Sequence, residues 1–205
     1  MFDIRNRMAS SKRMVRPANS KPKDQVIRLD AAAWIATAFD ALAQGGVDAV
    51  RIEPLAKALT ITKGSFYWHF ADRRALIDAM LIAWTQGRIA AIGEQAARHG
   101  KPAAVLHDLA ELYTHRANVR GLAIELAIRS LARSDEQAAK AVRAVDRERL
   151  RHVTELFAGL GWPAAEAQAR AVLFYSYLFG QSLLDRRAVS SAVRDNAVHA
   201  LIAAP

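Results

Sequence analysis

Cysteine is absent from the 205 residues. Disulfides and thiolate metal sites are therefore excluded, and the composition suits a reducing compartment. Long hydrophobic runs are missing too. The longest charge-free stretch of note, residues 171–184, has fourteen residues and is too short to cross a bilayer as a helix. Asp3, Arg5 and Arg7 interrupt the start and no apolar segment follows, so no signal peptide is predicted. No run of alternating β-branched residues supports a sheet, and no internal repeat is visible. The chemistry of known catalysts is missing as well. There is no HExxH, GxGxxG, Walker or GxSxG pattern. His69, His99, His107, His115, His152 and His199 show no metal-ligand spacing. The chain is expected to be no enzyme, with no metal and no cofactor.

Acidic residues are in deficit. Lys and Arg number 29 against 20 Asp and Glu, a net charge of +9. The excess is uneven. Residues 1–28 hold eight basic and two acidic groups, 8 − 2 = +6. Residues 29–76 hold five of each sign, and the remainder is +3. Residues 1–27 are expected to form a disordered basic arm suited to a polyanion. Apolar residues make up 52% of the chain, ample for a core.

Periodicity and breakers predict helices throughout. Helix one is expected from about Asp24 to Gln44, stopped by Gly45-Gly46. Ile52, Leu55, Ala56 and Leu59 give a second helix one apolar face. Thr62 is a plausible N-cap for a third helix carrying Phe66, Tyr67, Trp68, His69 and Phe70. Asp72 caps a fourth that runs to Arg98. Further helices are expected over 102–117, 121–132, 135–158, 164–186 and about 190–203.

The hairpin over residues 52–76 carries the sharpest signal. Phe66 and Phe70 lie four apart and can anchor the third helix to a core. Thr62, Lys63, Ser65, Tyr67 and His69 offer donors and a cation. Gly64 lets a surface approach the backbone closely. Such a helix suits a DNA groove and its phosphates. This segment resembles the helix-turn-helix of the TetR (tetracycline-repressor-like) family of bacterial transcription regulators. The match is close over Lys63-Gly64-Ser65-Phe66-Tyr67-Trp68-His69-Phe70, has Arg73 where the family usually places Lys, and extends back to about Leu29. Two positions depart from the pattern. Thr60 stands where the family mostly has Gly, and a left-handed backbone there would strain a β-branched residue. Pro54 is tolerable only in a first helical turn.

The resemblance implies DNA contacts from Thr62, Lys63, Gly64 and Ser65, flanked by Tyr67, Trp68 and His69, with Arg73 and Arg51 at phosphates. It implies an all-α protein with a three-helix DNA-binding domain over 28–71 and a helical ligand-binding and dimerisation domain over 72–205, about nine helices in all. A homodimer on palindromic operator DNA, released by a largely apolar small-molecule effector in the cytoplasm and away from membranes, follows from it. Rival readings are a non-specific architectural or membrane-surface protein and a small helical enzyme.

Two features of the C-terminal helices bear on that picture. Charged groups interrupt apolar faces: Glu125 and Arg129 on the sixth helix, Asp146 and Arg149 on the seventh. They read as structural ion pairs or as polar handles in a ligand cavity walled by Trp84, Tyr113, Tyr175 and Phe179. The eighth helix is apolar nearly all round and needs a cover on every side. A four-helix seam from helices eight and nine is expected through Phe174, Tyr177, Leu178 and Gly180, with Val193 and Ala197.

Overall fold

Asp30 opens the first helix, α1 (Ala31–Gly45), by accepting a hydrogen bond from the Ala33 amide at 3.0 Å. The structure, a computed structural model, describes residues 30–97, 100–114, 118–184 and 188–205. The predicted start near Asp24, the basic arm over 1–27, and His99 and His115 lie outside these residues. α1 ends as read from its glycines. Gly46 has φ +67°, and its amide donates to Leu42 O at 2.9 Å. A Cβ on Gly45 would sit 2.9 Å from that of Ala49, so only glycine lets the following 3₁₀ turn (Val47–Ala49) fold back this tightly.

α2 (Ile52–Ala58) begins so that Pro54 falls in its first turn, where no intrahelical amide is lost. It ends in a Schellman motif: Ile61 N donates to Ala56 O at 3.0 Å and Thr60 N to Lys57 O at 3.1 Å. Thr60 has φ +56°, so the left-handed site is real and is filled by a β-branched residue. α3 (Lys63–Phe66) is shorter than predicted. Thr62 precedes it without a side-chain cap bond, and Tyr67–His69 form a turn. The amides of His69 and Phe70 both converge on Phe66 O, at 2.9 and 3.0 Å. A run of aromatic residues holds a helical ladder poorly, so the ladder tightens and stops.

α4 (Arg73–Ala97) is capped by Asp72, whose carboxylate accepts from Ala75 N at 2.8 Å. It is long and apolar enough to cross a membrane, although no charge-free run announced one. Its Leu76, Ile77, Met80, Leu81 and Trp84 are buried within the protein. α5 (Pro102–Thr114), α6 (Val119–Leu131), α7 (Glu136–Gly159) and α8 (Ala164–Gly180) follow. Asp135 caps α7 by accepting from Ala138 N at 2.9 Å. α8 stops short of the predicted Arg186. A 3₁₀ turn (Gln181–Leu183) follows, with Ser182 Oγ donating to Phe179 O at 2.5 Å. Such local hydroxyl bonds compete with the helical ladder. α9 (Ser191–Ile202) is capped by Ser190. No strand occurs among the described residues.

Two apolar clusters hold these helices. The first joins Trp34, Ala38 and Leu42 of α1 with Leu55, Phe66 and Phe70, then continues through α4 to Ile124, Ile128 and Val145. Trp34 meets Phe66 edge-on at 5.2 Å. The second joins α5, α7, α8 and α9 through Leu106, Phe157, Phe174, Leu178 and Val198. Each fully buried large side chain contributes about 1.5–3 kcal/mol over exposure. The N-terminal hairpin is thus continuous in packing with α4, α6 and α7. Asp40 of α1 also pairs with Arg120 of α6 at 2.5 Å.

Candidate functional site

The hairpin divides its aromatic run by burial. Phe66 and Phe70 are in the core, 5.4 Å apart, while Tyr67, Trp68 and His69 face outward. Trp68 is 84% exposed. Thr62, Lys63 and Gly64 are exposed beside them, and Ser65 is half-buried. A Cβ at Gly64 would meet nothing nearer than Thr62 Oγ1 at 3.8 Å, so the surface there is open.

The cations of this head are not equally free. Lys63 Nζ meets Glu53 Oε1 at 2.5 Å. This bond holds the Glu53 carboxyl below its usual range and raises the Lys63 ammonium. Both groups are solvent-exposed, so Lys63 reaches a polyanion only by exchanging this partner. Arg73 is half-buried and donates through Nε to Val50 O at 2.6 Å and through Nη2 to Val47 O. It ties the start of α4 to the turn after α1. Arg51 is exposed.

Seven of the eight residues read as ligand handles come together. Arg149 donates two hydrogen bonds to Glu125, at 2.7 and 2.8 Å. Arg129 donates to Glu125 at 2.9 Å and to Asp146 at 3.0 Å. Its guanidinium lies 4.3 Å over the Phe179 ring, and that of Arg149 lies 5.6 Å from it. Tyr113 meets Phe179 edge-on at 5.5 Å, and Tyr175 stacks on Phe179 at 6.1 Å. Burial alone would raise the Glu125 carboxyl. The bonds and charge of Arg149, then the charges of Arg129 and Arg88, outweigh it and hold the carboxyl low. Tyr113 and Tyr175 are pushed up, chiefly by burial. The eighth residue, Trp84, is a correction. It packs in the first apolar cluster and lines neither of the clefts that border the others.

Sequence reading missed Arg88 and Gln181. Arg88 of α4 lies 3.8 Å from Glu125 and donates to Gly121 O at 3.3 Å. The cluster therefore joins α4, α6 and α7 in one network. Beside it, a cleft of about 340 Å³ opens between α5, α6, the turn after α8, and α9. Leu112, Val119, Leu122 and Leu126 give it apolar walls, and Tyr113, Gln181 and Arg194 border it. Gln181 was visible as a carboxamide in the charge-free 171–184 run, but nothing in that run told which way it faced.

The proposed seam also needs correcting. Phe174 and Leu178 are fully buried within their own protomer, among Phe157 and Ala171, and cannot meet a partner. Tyr177 is half-buried and donates to Arg194 O at 3.2 Å. The outward face of α8 is set by Val172, Leu173 and Ser176 instead, with Leu173 58% exposed. Gly180 has nothing within 4 Å of a built Cβ. Val193 is exposed and Ala197 half-buried on α9. An apolar circumference leaves the inward direction open, and α5 and α7 choose it.

A family model described as bacterial regulatory proteins, tetR family, matches residues 35–80. A class G tetracycline repressor protein from Vibrio anguillarum is 36% identical over 53 residues, 26% of this chain and 25% of that protein. The match thus spans a quarter of that relative's length. Among solved structures, a transcriptional regulator from Rhodococcus sp. Rha1 superposes with a TM-score of 0.70 at 20% identity, covering 85% of this chain and 94% of that one. AibR, solved with isovaleryl coenzyme A and operator DNA, gives 0.61 at 17% identity, covering 84% of this chain and 97% of its own. These likenesses show the all-α fold over most of the chain. The segment that matches the tetR family of bacterial regulatory proteins, residues 35–80, is the one in which the buried Phe66 and Phe70 present Thr62, Lys63, Tyr67 and His69.

Proposed function

We propose that this protein is a dimeric, cytoplasmic repressor that reads a palindromic operator with residues 28–71 and is released by a small molecule bound within residues 72–205. One observation carries the DNA reading. The side chains without an apolar role in the hairpin, Thr62, Lys63, Tyr67, Trp68 and His69, are all exposed together on one short helix and its following turn. AibR was solved with operator DNA, which supports the same use of the fold. In this reading α3 enters the major groove. Lys63 exchanges Glu53 for a base edge or phosphate, and Arg51 approaches a phosphate. Arg73 acts by fixing α4 to the head.

Release follows from how α6 is shared. Leu122 and Leu126 line the 340 Å³ cleft, while Ile124 and Ile128 of the same helix pack in the cluster that contains the head. An occupant that shifts α6 acts on α1 through those contacts and through Asp40–Arg120. It also acts on α4 through Arg88. Ligand then favours a spacing of the two heads that no longer fits successive major grooves, roughly 34–36 Å apart.

Sequencing the DNA retained at moderate salt tests the central reading. A specific reader keeps one enriched palindrome as salt rises, whereas a purely electrostatic binder loses affinity everywhere. For assembly, Leu173→Glu should give monomers in sedimentation and lose operator binding with helical content kept. A dimeric Leu173→Glu protein would move the seam elsewhere.

A further inference from the structure

We infer that the cleft beside the charged cluster is built to receive an apolar molecule carrying a carboxamide-like group, one that donates and accepts hydrogen bonds side by side, and that Gln181 is its anchor. This rests on the reading of the protein as a ligand-released regulator and names the chemistry of the ligand.

The argument starts from an unmet need. Gln181 is 6% exposed, and both its Nε2 and its Oε1 are enclosed without a hydrogen-bond partner. A buried carboxamide with neither end satisfied is costly, and native proteins seldom keep one without a reason. Replacing it by an aliphatic side chain would remove the cost, yet the chain keeps it at the border of a cleft. The cleft's volume, about 340 Å³, falls at the lower end of ordinary small-molecule pockets, about 300–1,000 Å³. Leu112, Val119, Leu122, Ala123 and Leu126 make half of its lining, so the ligand's body is apolar on that side.

The charge pattern selects among head groups. Glu125, Arg129, Asp146 and Arg149 are bonded to one another and, with Arg88, lie outside the lining of the cleft, so the charges of that network do not meet a ligand there. Arg194 borders the cleft but its Nε is directed to Val189 O at 3.4 Å. A carboxylate would satisfy Gln181 Nε2 and leave Oε1 facing negative charge. A ketone would likewise leave Oε1 unmet. A primary amide, or a lactam whose ring holds the amide cis, satisfies both atoms in one planar pair.

The test uses the full-length protein and three linear probes: octanamide, octanoate at pH 8, and 2-decanone, each followed by titration calorimetry. Octanamide should bind at least about tenfold more tightly than the other two. Gln181→Met, which keeps the size and removes the amide, should erase that preference. Ala123→Phe, which fills the cleft from α6, should abolish binding of octanamide while Gln181 remains. Without ligand, Gln181→Met should raise Tm by about 2–4 °C, because an unsatisfied buried group is gone. Equal binding of the three probes, tighter binding of octanoate, no binding of octanamide, or a lowered Tm in Gln181→Met would each overturn the inference. DNA selection is measured separately: a protein that enriches one palindrome but ignores octanamide refutes this assignment alone, and one that binds octanamide but enriches no DNA refutes the regulator reading.

Discussion

In the head, Lys63 and Glu53 meet at 2.5 Å with side chains 50% and 66% exposed. In the C-terminal half, Arg149 and Glu125 meet at 2.7 Å with side chains 3% and 1% exposed. Both are cation–carboxylate pairs of nearly the same length, one a single lysine contact and the other a two-bond guanidinium contact, and they do different jobs. Water competes for the first pair, so it is worth little and its lysine can be passed to another anion. No water competes for the second, so neither member can leave without stranding the other. Enclosure and the two-bond guanidinium geometry together separate a structural lock from an exchangeable contact.

The largest effect should come from opening the lock. Glu125→Ala strands the Arg149 guanidinium and should destabilise the fold by about 3–5 kcal/mol in urea unfolding. The double variant Glu125→Leu with Arg149→Met should recover most of that loss. A small cost for Glu125→Ala would mean that the enclosed and exposed pairs do not differ. Acid acts on the same bond. Because the folded protein holds the Glu125 carboxyl below its unfolded value, the stabilisation is present above the unfolded carboxylate range, about pH 4.3, and fades as pH falls through the lowered value. The acid limb of a stability–pH curve should be shallower in the double variant.

Arg73 sharpens the comparison, since it lies in the head but is bonded like a core residue. Arg73→Met should cost roughly 2–3 kcal/mol of stability through its two carbonyl bonds. Lys63→Ala should do the reverse: stability within about 0.5 kcal/mol of the parent, operator affinity lower by about 1–3 kcal/mol in a gel-shift or anisotropy titration. If Arg73→Met lowers affinity and leaves stability intact, the arginine is a phosphate contact after all.

Thr60→Gly relieves the left-handed strain at the end of α2 and should add about 1 kcal/mol of stability without changing operator preference. The smallest effect is expected from Glu53→Gln. Lys63 then no longer has a carboxylate to leave, so binding should tighten a few-fold, with thermal stability nearly unchanged. Unchanged affinity would show that Lys63 stays on Glu53 in the complex.

Local signals were legible in the chain wherever a few neighbouring residues decide the outcome. The cap at Asp72, the stop at Gly46, the first-turn place of Pro54 and the left-handed Thr60 all depend on backbone groups within four residues. So does the inward pairing of Phe66 and Phe70, because i,i+4 spacing puts both rings on one side. The helix-turn-helix head followed from these and from the motif itself. The grouping of Glu125, Arg129, Asp146 and Arg149 was foreseeable as charge on apolar arcs, but their partners were not. Tertiary packing brought Arg88 to Glu125 from 37 positions away, 125 − 88. It also turned Phe174 and Leu178 inward, and left Gln181 enclosed beside a cleft with no bond to make. A helix apolar on all sides carries no mark of which side a neighbour will take. That direction is set by how α5, α7 and α9 fill the space around it, which no local pattern in α8 encodes.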